Sequence, residues 1–125
     1  MTSAAVLDEL AAYAPVHAVV GNIDRPDVAA WGAHDELRLE LEGVAVAMLH
    51  DAGRCAGREA RLRRRFPDAR LVVFGHSHDP LDVEHDGQRL LNPGSPTWKR
   101  RAPAPTIAWA EISAGRLATC LVPLV

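Results

Sequence analysis

Gly75-His76-Ser77-His78 sets two imidazoles one residue apart directly after an apolar run. Residues at i and i+2 of an extended segment point to one side, while at a strand-to-loop bend they diverge enough to serve two neighbouring ions. Gly75 lets the backbone approach such a site closely. His50 closes a second apolar run, and Asn22 of Gly-Asn-Ile-Asp follows a third. One amide and three imidazoles, each at the end of an apolar segment, form a donor set suited to divalent cations. The competing reading is structural: histidines hydrogen-bonded to backbone carbonyls.

These residues need strands that end at one edge, and the pattern of the chain supplies them. Val6, Leu7, Leu10 and Ala14 recur at helical spacing after a cap at Ser3, and Pro15 disfavours continuation. His17–Val20 reads as a strand ended by Gly21, so Asn22 and Asp24 project from its C-terminal edge. That is where open α/β sheets place ligands. Residues 25–36 read as a loop with at most one helical turn, anchored by Trp31. Leu37, Leu39 and Leu41 alternate with charged residues as in a half-buried strand, and continuous Val44–Leu49 reads as a central strand delivering His50. An Arg-rich helix with Leu62 and Phe66 on one face follows, its arginines forming a solvated face. Leu71–Phe74 is the strand leading to Gly75. His85-Asp86-Gly87 and Ser113-Ala114-Gly115 turn two hairpins, and Asn92-Pro93-Gly94-Ser95 forms a shaped loop.

Composition narrows the class. The 125 residues suit one domain, 48% hydrophobic and 24% charged, with a formal net charge of -2 that does not invite nucleic acid. No run approaches the roughly 18 apolar residues needed to span a bilayer, and no positively charged leader precedes an apolar stretch. Cytoplasmic location with no membrane partner is expected. Cys55 and Cys120 read as two reduced thiols. Trp98 and Trp109 read as apolar mass, and His17, His34 and His85 as structural.

The order Gly-Asn-x-Asp, His, Gly-His-x-His and Asn-Pro-Gly-Ser resembles the calcineurin-like metallophosphoesterases, specifically the small prokaryotic phosphodiesterase subfamily. The resemblance implies an α/β two-sheet sandwich flanked by helices, with a two-ion active site. By that match Asn22, His50 and His76 bind the second ion and His78 belongs to the first, all four forming the catalytic set. Asp24 would accept a hydrogen bond that orients a ligand or the loop, or would form a structural salt bridge. Asp51 stands beside the presumed ion, where it either raises the basicity of a ligand or caps the following loop. The implied activity is divalent-metal-dependent hydrolysis of a small phosphodiester or other phosphate-containing substrate.

The sequence also departs from the family pattern. It contains neither Asp-x-His nor Gly-Asp, the motifs that in the family complete the first metal position and bridge both ions. The match is therefore to the family's C-terminal three quarters, an N-terminally truncated version, with the missing motifs expected in frame upstream of Met1. Two ions (Mn²⁺, or Zn²⁺, Ni²⁺ or Fe²⁺) belong to the complete family site. At most one, weakly held, is expected in this chain. Ile23 stands where related enzymes carry a histidine near the leaving group, favouring diesters with good leaving groups. The alternative is a degenerate, non-catalytic metal-binding or interaction protein of the same fold. A sheet edge left bare would favour a homo-oligomer.

Overall fold

A computed structural model describes residues 4–21 and 26–124. In chain order they form α1 (Ala4–Ala11), α2 (Pro26–Trp31), β1 (Glu36–Leu41), β2 (Val44–Leu49), α3 (Arg58–Arg65), β3 (Leu71–Val73), β4 (Leu81–His85), β5 (Gln88–Asn92), β6 (Thr106–Ser113) and β7 (Arg116–Pro123). Five strands make one mixed sheet in the order β1-β2-β3-β5-β4, and β6 and β7 make a separate antiparallel pair. β2 pairs with β3, and β3 with β5, in parallel, so all three deliver their C-terminal ends to the same edge.

The period-two geometry of strands divides the core into two layers. Ala47, Leu49, Val72 and Leu90 face α3 and pack with Leu62 and Phe66. Val44, Val46, Leu71 and Leu91 face the β6–β7 hairpin and meet Ala108, Ile112, Leu117 and Leu121. β2 is apolar throughout because both of its faces are covered. Gln88 is buried in the helix-side layer, where its side-chain amide donates to the carbonyls of Phe66 and Ala69 at 2.9 and 3.0 Å. The Phe66 carbonyl also accepts from Ala69 N–H at 3.2 Å, so the amide ties together the turn that follows α3.

Two local expectations differ from the structure. His17–Val20 is not a full strand: Val19 forms a single parallel bridge with His34. The segment opposite it, between α2 and β1, offers only that one pair, and Val16 and Ala18 instead pack against Leu7 of α1. Residues 26–31 form a six-residue helix, longer than the single turn expected there. Trp31 does anchor it, donating Nε1–H to Asp8 Oδ1 at 2.8 Å. The arginines of α3 are more engaged than a solvated face requires. Arg65 pairs with Glu36 of β1, Arg63 reaches the Asp86 carbonyl, and Arg61 gathers the carbonyls of Ala52, Arg54 and Ala56. Among the described residues, no helix is long and apolar enough to cross a membrane.

Gly94 occupies the bend after β5 at φ 75, and a Cβ there would collide with Thr106 Oγ1. Gly94→Ala is expected to lower unfolding stability by about 2–4 kcal/mol through backbone strain and overpacking. Urea denaturation measures the loss.

Candidate metal centre

The His50 and His76 side chains meet because their strands are hydrogen-bonded neighbours. The parallel ladder pairs Met48 with Val73, and beyond it the Gly75 N–H donates to the His50 carbonyl at 2.8 Å. His50 Nε2 and His76 Nδ1 then stand 3.3 Å apart, the ring centroids 5.2 Å apart and the planes 80° to one another. Two imidazole nitrogens, each about 2.0–2.1 Å from one tetrahedral ion, lie about 3.3–3.4 Å apart, so the observed separation fits a shared cation.

Asp51 caps the loop that follows it. Its Oδ1 accepts from Gly53 N–H at 2.8 Å and shapes the following loop, while Oδ2 stands 3.9 Å from His76 Nε2. The second contact exceeds hydrogen-bond length but lies within electrostatic reach of the ring. A carboxylate on that side favours the tautomer with hydrogen on Nε2, which turns the Nδ1 lone pair toward His50. The Arg61 bonds to three carbonyls of residues 52–56 hold the same loop.

His78 points to a different set of partners. Its Nδ1 donates to the Trp98 carbonyl at 2.7 Å, and its ring meets the indole edge to face at 5.7 Å. With Nδ1 holding the hydrogen, Nε2 carries the lone pair. Both His76 (φ 73) and His78 (φ 63) adopt left-handed backbone conformations. Ser77 between them is pinned from below: its Oγ accepts from Asp79 N–H and Asn92 Nδ2, each at 3.2 Å.

Asn92 was legible only as part of a shaped loop. It is 1% exposed, and its side chain joins Gly94 N–H to Ser77, so it braces the histidine loop. Ser95 is likewise buried, its Oγ accepting from Trp98 N–H at 3.0 Å. The signal for both was an Asn and a Ser flanking Pro-Gly at a strand end, where short side chains bond to nearby backbone. Trp98 and Trp109, read as apolar mass, are 60% and 63% exposed. Trp109 lies on the outer face of β6, paired across to Cys120. Asn22 and Asp24 lie outside the described residues. Among the described residues, no three of His, Cys, Asp and Glu converge as a metal cluster.

The profile of the calcineurin-like phosphoesterase superfamily domain matches residues 1–115, and the chain belongs to that superfamily. A probable metallophosphoesterase of Methanothermobacter thermautotrophicus is 36% identical over 104 residues, which is 80% of this chain. The chain spans 58% of that curated relative's length. A Thermotoga maritima protein solved by NMR aligns at a TM-score of 0.68 and 30% identity, over 96% of this chain and 71% of its own. Two structures with lower identity share the fold. Vps29 of Entamoeba histolytica, solved with Zn²⁺, has a TM-score of 0.74 at 22% identity, covering 97% of this chain and 76% of its own. An archaeal phosphodiesterase has a TM-score of 0.74 at 18% identity, covering 97% and 78%. The architecture is thus the mixed α/β, two-sheet arrangement of metallophosphoesterases.

The left-handed backbone at His76 separates its conformational and chemical roles. His76→Gly is expected to be about 1 kcal/mol more stable than His76→Ala, because alanine retains the strain and glycine does not. Thermal unfolding compares the two, and equal stabilities would show that the backbone relaxes on substitution.

Proposed function

We propose that the chain contributes the histidine side of a divalent-metal phosphoesterase centre acting on a small phosphodiester. The 3.3 Å approach of His50 Nε2 to His76 Nδ1, in a chain of this superfamily, carries the reading. His50 and His76 would hold one ion with Asn22 as a third donor, and His78 would face a neighbouring position. Mn²⁺, Zn²⁺, Ni²⁺ and Fe²⁺ all suit imidazole and amide donors. When bound, such an ion acidifies a water and stabilises charge on phosphoryl oxygens.

The protein's own part is positional. Asp51 orients His76, the Trp98 carbonyl orients His78, and the Asn92–Ser77 link holds the turn between them. Ile23 provides no proton to a leaving group, so diesters whose leaving group departs unaided are the best substrates.

A second reading is a non-catalytic metal-binding or interaction protein of the same fold. It is favoured by the lack of a three-ligand cluster among the described residues. Dialysis followed by metal analysis and assay on an activated aryl phosphodiester separates the two. The phosphoesterase reading expects at most one weakly bound ion per chain and a low, EDTA-sensitive rate, since one ion does not clamp both attacking and leaving oxygens. His50→Ala and His76→Ala should each lower metal affinity at least about tenfold, given that loss of even an orienting partner costs about 10–100-fold. Bound metal without any EDTA-sensitive turnover would favour the second reading, and an unchanged affinity in both variants would overturn the site.

A further inference from the structure

The segment from Trp98 to Arg101 is attached to both histidines of the loop after β3. The Trp98 carbonyl accepts from His78 Nδ1 at 2.7 Å, and Arg100 Nη1 donates to the His76 carbonyl at 3.0 Å. The Arg100 guanidinium also lies over the Trp98 ring, 5.0 Å from its centroid. The backbone around it is anchored: Ser95 and Ala102 are buried, Trp98 N–H is bonded to Ser95 Oγ, and Ala102 N–H to the Lys99 carbonyl. An indole 60% exposed is therefore held in place beside the histidines instead of being drawn into the core.

Charge and shape add to this. Lys99, Arg100 and Arg101 are consecutive in a chain whose formal net charge is -2. An open groove of about 390 Å³ is lined by His76, Ser77, Asp79, Arg100 and Arg101. Asp79 places one carboxylate in the same groove, and Arg100 retains N–H donors beyond the one given to His76. Guanidinium groups match phosphate oxygens, and an exposed indole stacks on planar aromatic rings.

We propose that Trp98, Arg100 and Arg101 form a recognition subsite for a small phosphodiester that carries a planar aromatic base, a nucleoside-type ester. This deepens the phosphoesterase reading and rests on it for the position of the reacting phosphate. Arg100 and Arg101 hold the phosphate side, and the Trp98 ring stacks the base. The same stacking is open to a nucleic-acid strand, but the two guanidiniums at the groove, with Lys99 Nζ turned to the Ala102 carbonyl at 3.2 Å, support one nucleotide unit and no extended backbone track.

Equilibrium binding of adenosine 5′-monophosphate, ribose 5-phosphate and inorganic phosphate to the 125-residue chain in EDTA tests the subsite apart from catalysis. The nucleotide should bind about tenfold more tightly than ribose 5-phosphate, roughly 1.4 kcal/mol. Trp98→Ala should abolish that preference, Trp98→Phe should retain most of it, and Arg101→Gln should weaken all three phosphates several-fold without changing it. Circular dichroism of each variant checks folding. Equal affinity for the nucleotide and ribose 5-phosphate, or a preference that survives Trp98→Ala, would overturn the proposal. So would a hexanucleotide that binds more than tenfold tighter than a dinucleotide, which would indicate a strand-binding surface. If the preference is found but no metal-dependent hydrolysis is, the subsite stands and the phosphoesterase reading falls; hydrolysis without the preference has the reverse meaning.

Discussion

The parallel register of β2 and β3 is the constraint on which the rest depends. Val46 lies beside Leu71, Ala47 beside Val72 and Met48 beside Val73. Burial assigns two of these pairs to a face: Val46 and Leu71 belong to the hairpin-side layer, Ala47 and Val72 to the helix-side layer. A slip of one residue would turn every one of these side chains to the opposite layer. Two covered faces thus specify the register strongly, and extending it to the strand ends brings Gly75 N–H to the His50 carbonyl. The two imidazoles approach as a consequence of core packing, with the loops adding orientation.

That orientation comes from three anchors in different parts of the chain. Arg61 of α3 gathers the loop carrying Asp51, Asn92 of β5 holds Ser77, and the Trp98 carbonyl receives His78. Each uses a neutral backbone or amide partner, so the anchors persist at ionic strengths that screen exposed ion pairs. The left-handed conformations of His76 and His78 are sustained by this surrounding network. Strained residues of this kind concentrate at functional sites, where the geometry of a side chain outweighs its local backbone preference.

Much of this was legible from the residues. The unbroken apolar run Val44–Leu49, the alternation of Leu37, Leu39 and Leu41, and the Asp86-Gly87 turn each have one strong local cause, and each became the expected element. The convergence of His50 and His76 followed from their positions at strand ends. What was not legible depends on partners distant in sequence. Whether Val19 extends into a strand depends on the segment opposite it, and whether Trp98 is buried depends on where its backbone carbonyl is bonded. The role of Asn92 required knowing that Ser77 lies above it. Asn22 and Asp24, read as donor and acceptor, lie outside the described residues, so the described donor set is the His50–His76 pair with His78 nearby.

A metal-ligand role for this pair assigns a defined nitrogen to each ring, and the ¹⁵N chemical shifts of the imidazoles under Zn²⁺ titration read those nitrogens out. His50 should coordinate through Nε2 and His76 through Nδ1, with the hydrogen of His76 remaining on Nε2 toward Asp51. Coordination of His76 through Nε2, or shifts at His50 and His76 that saturate at different Zn²⁺ concentrations, would show that the two imidazoles do not share an ion in this geometry.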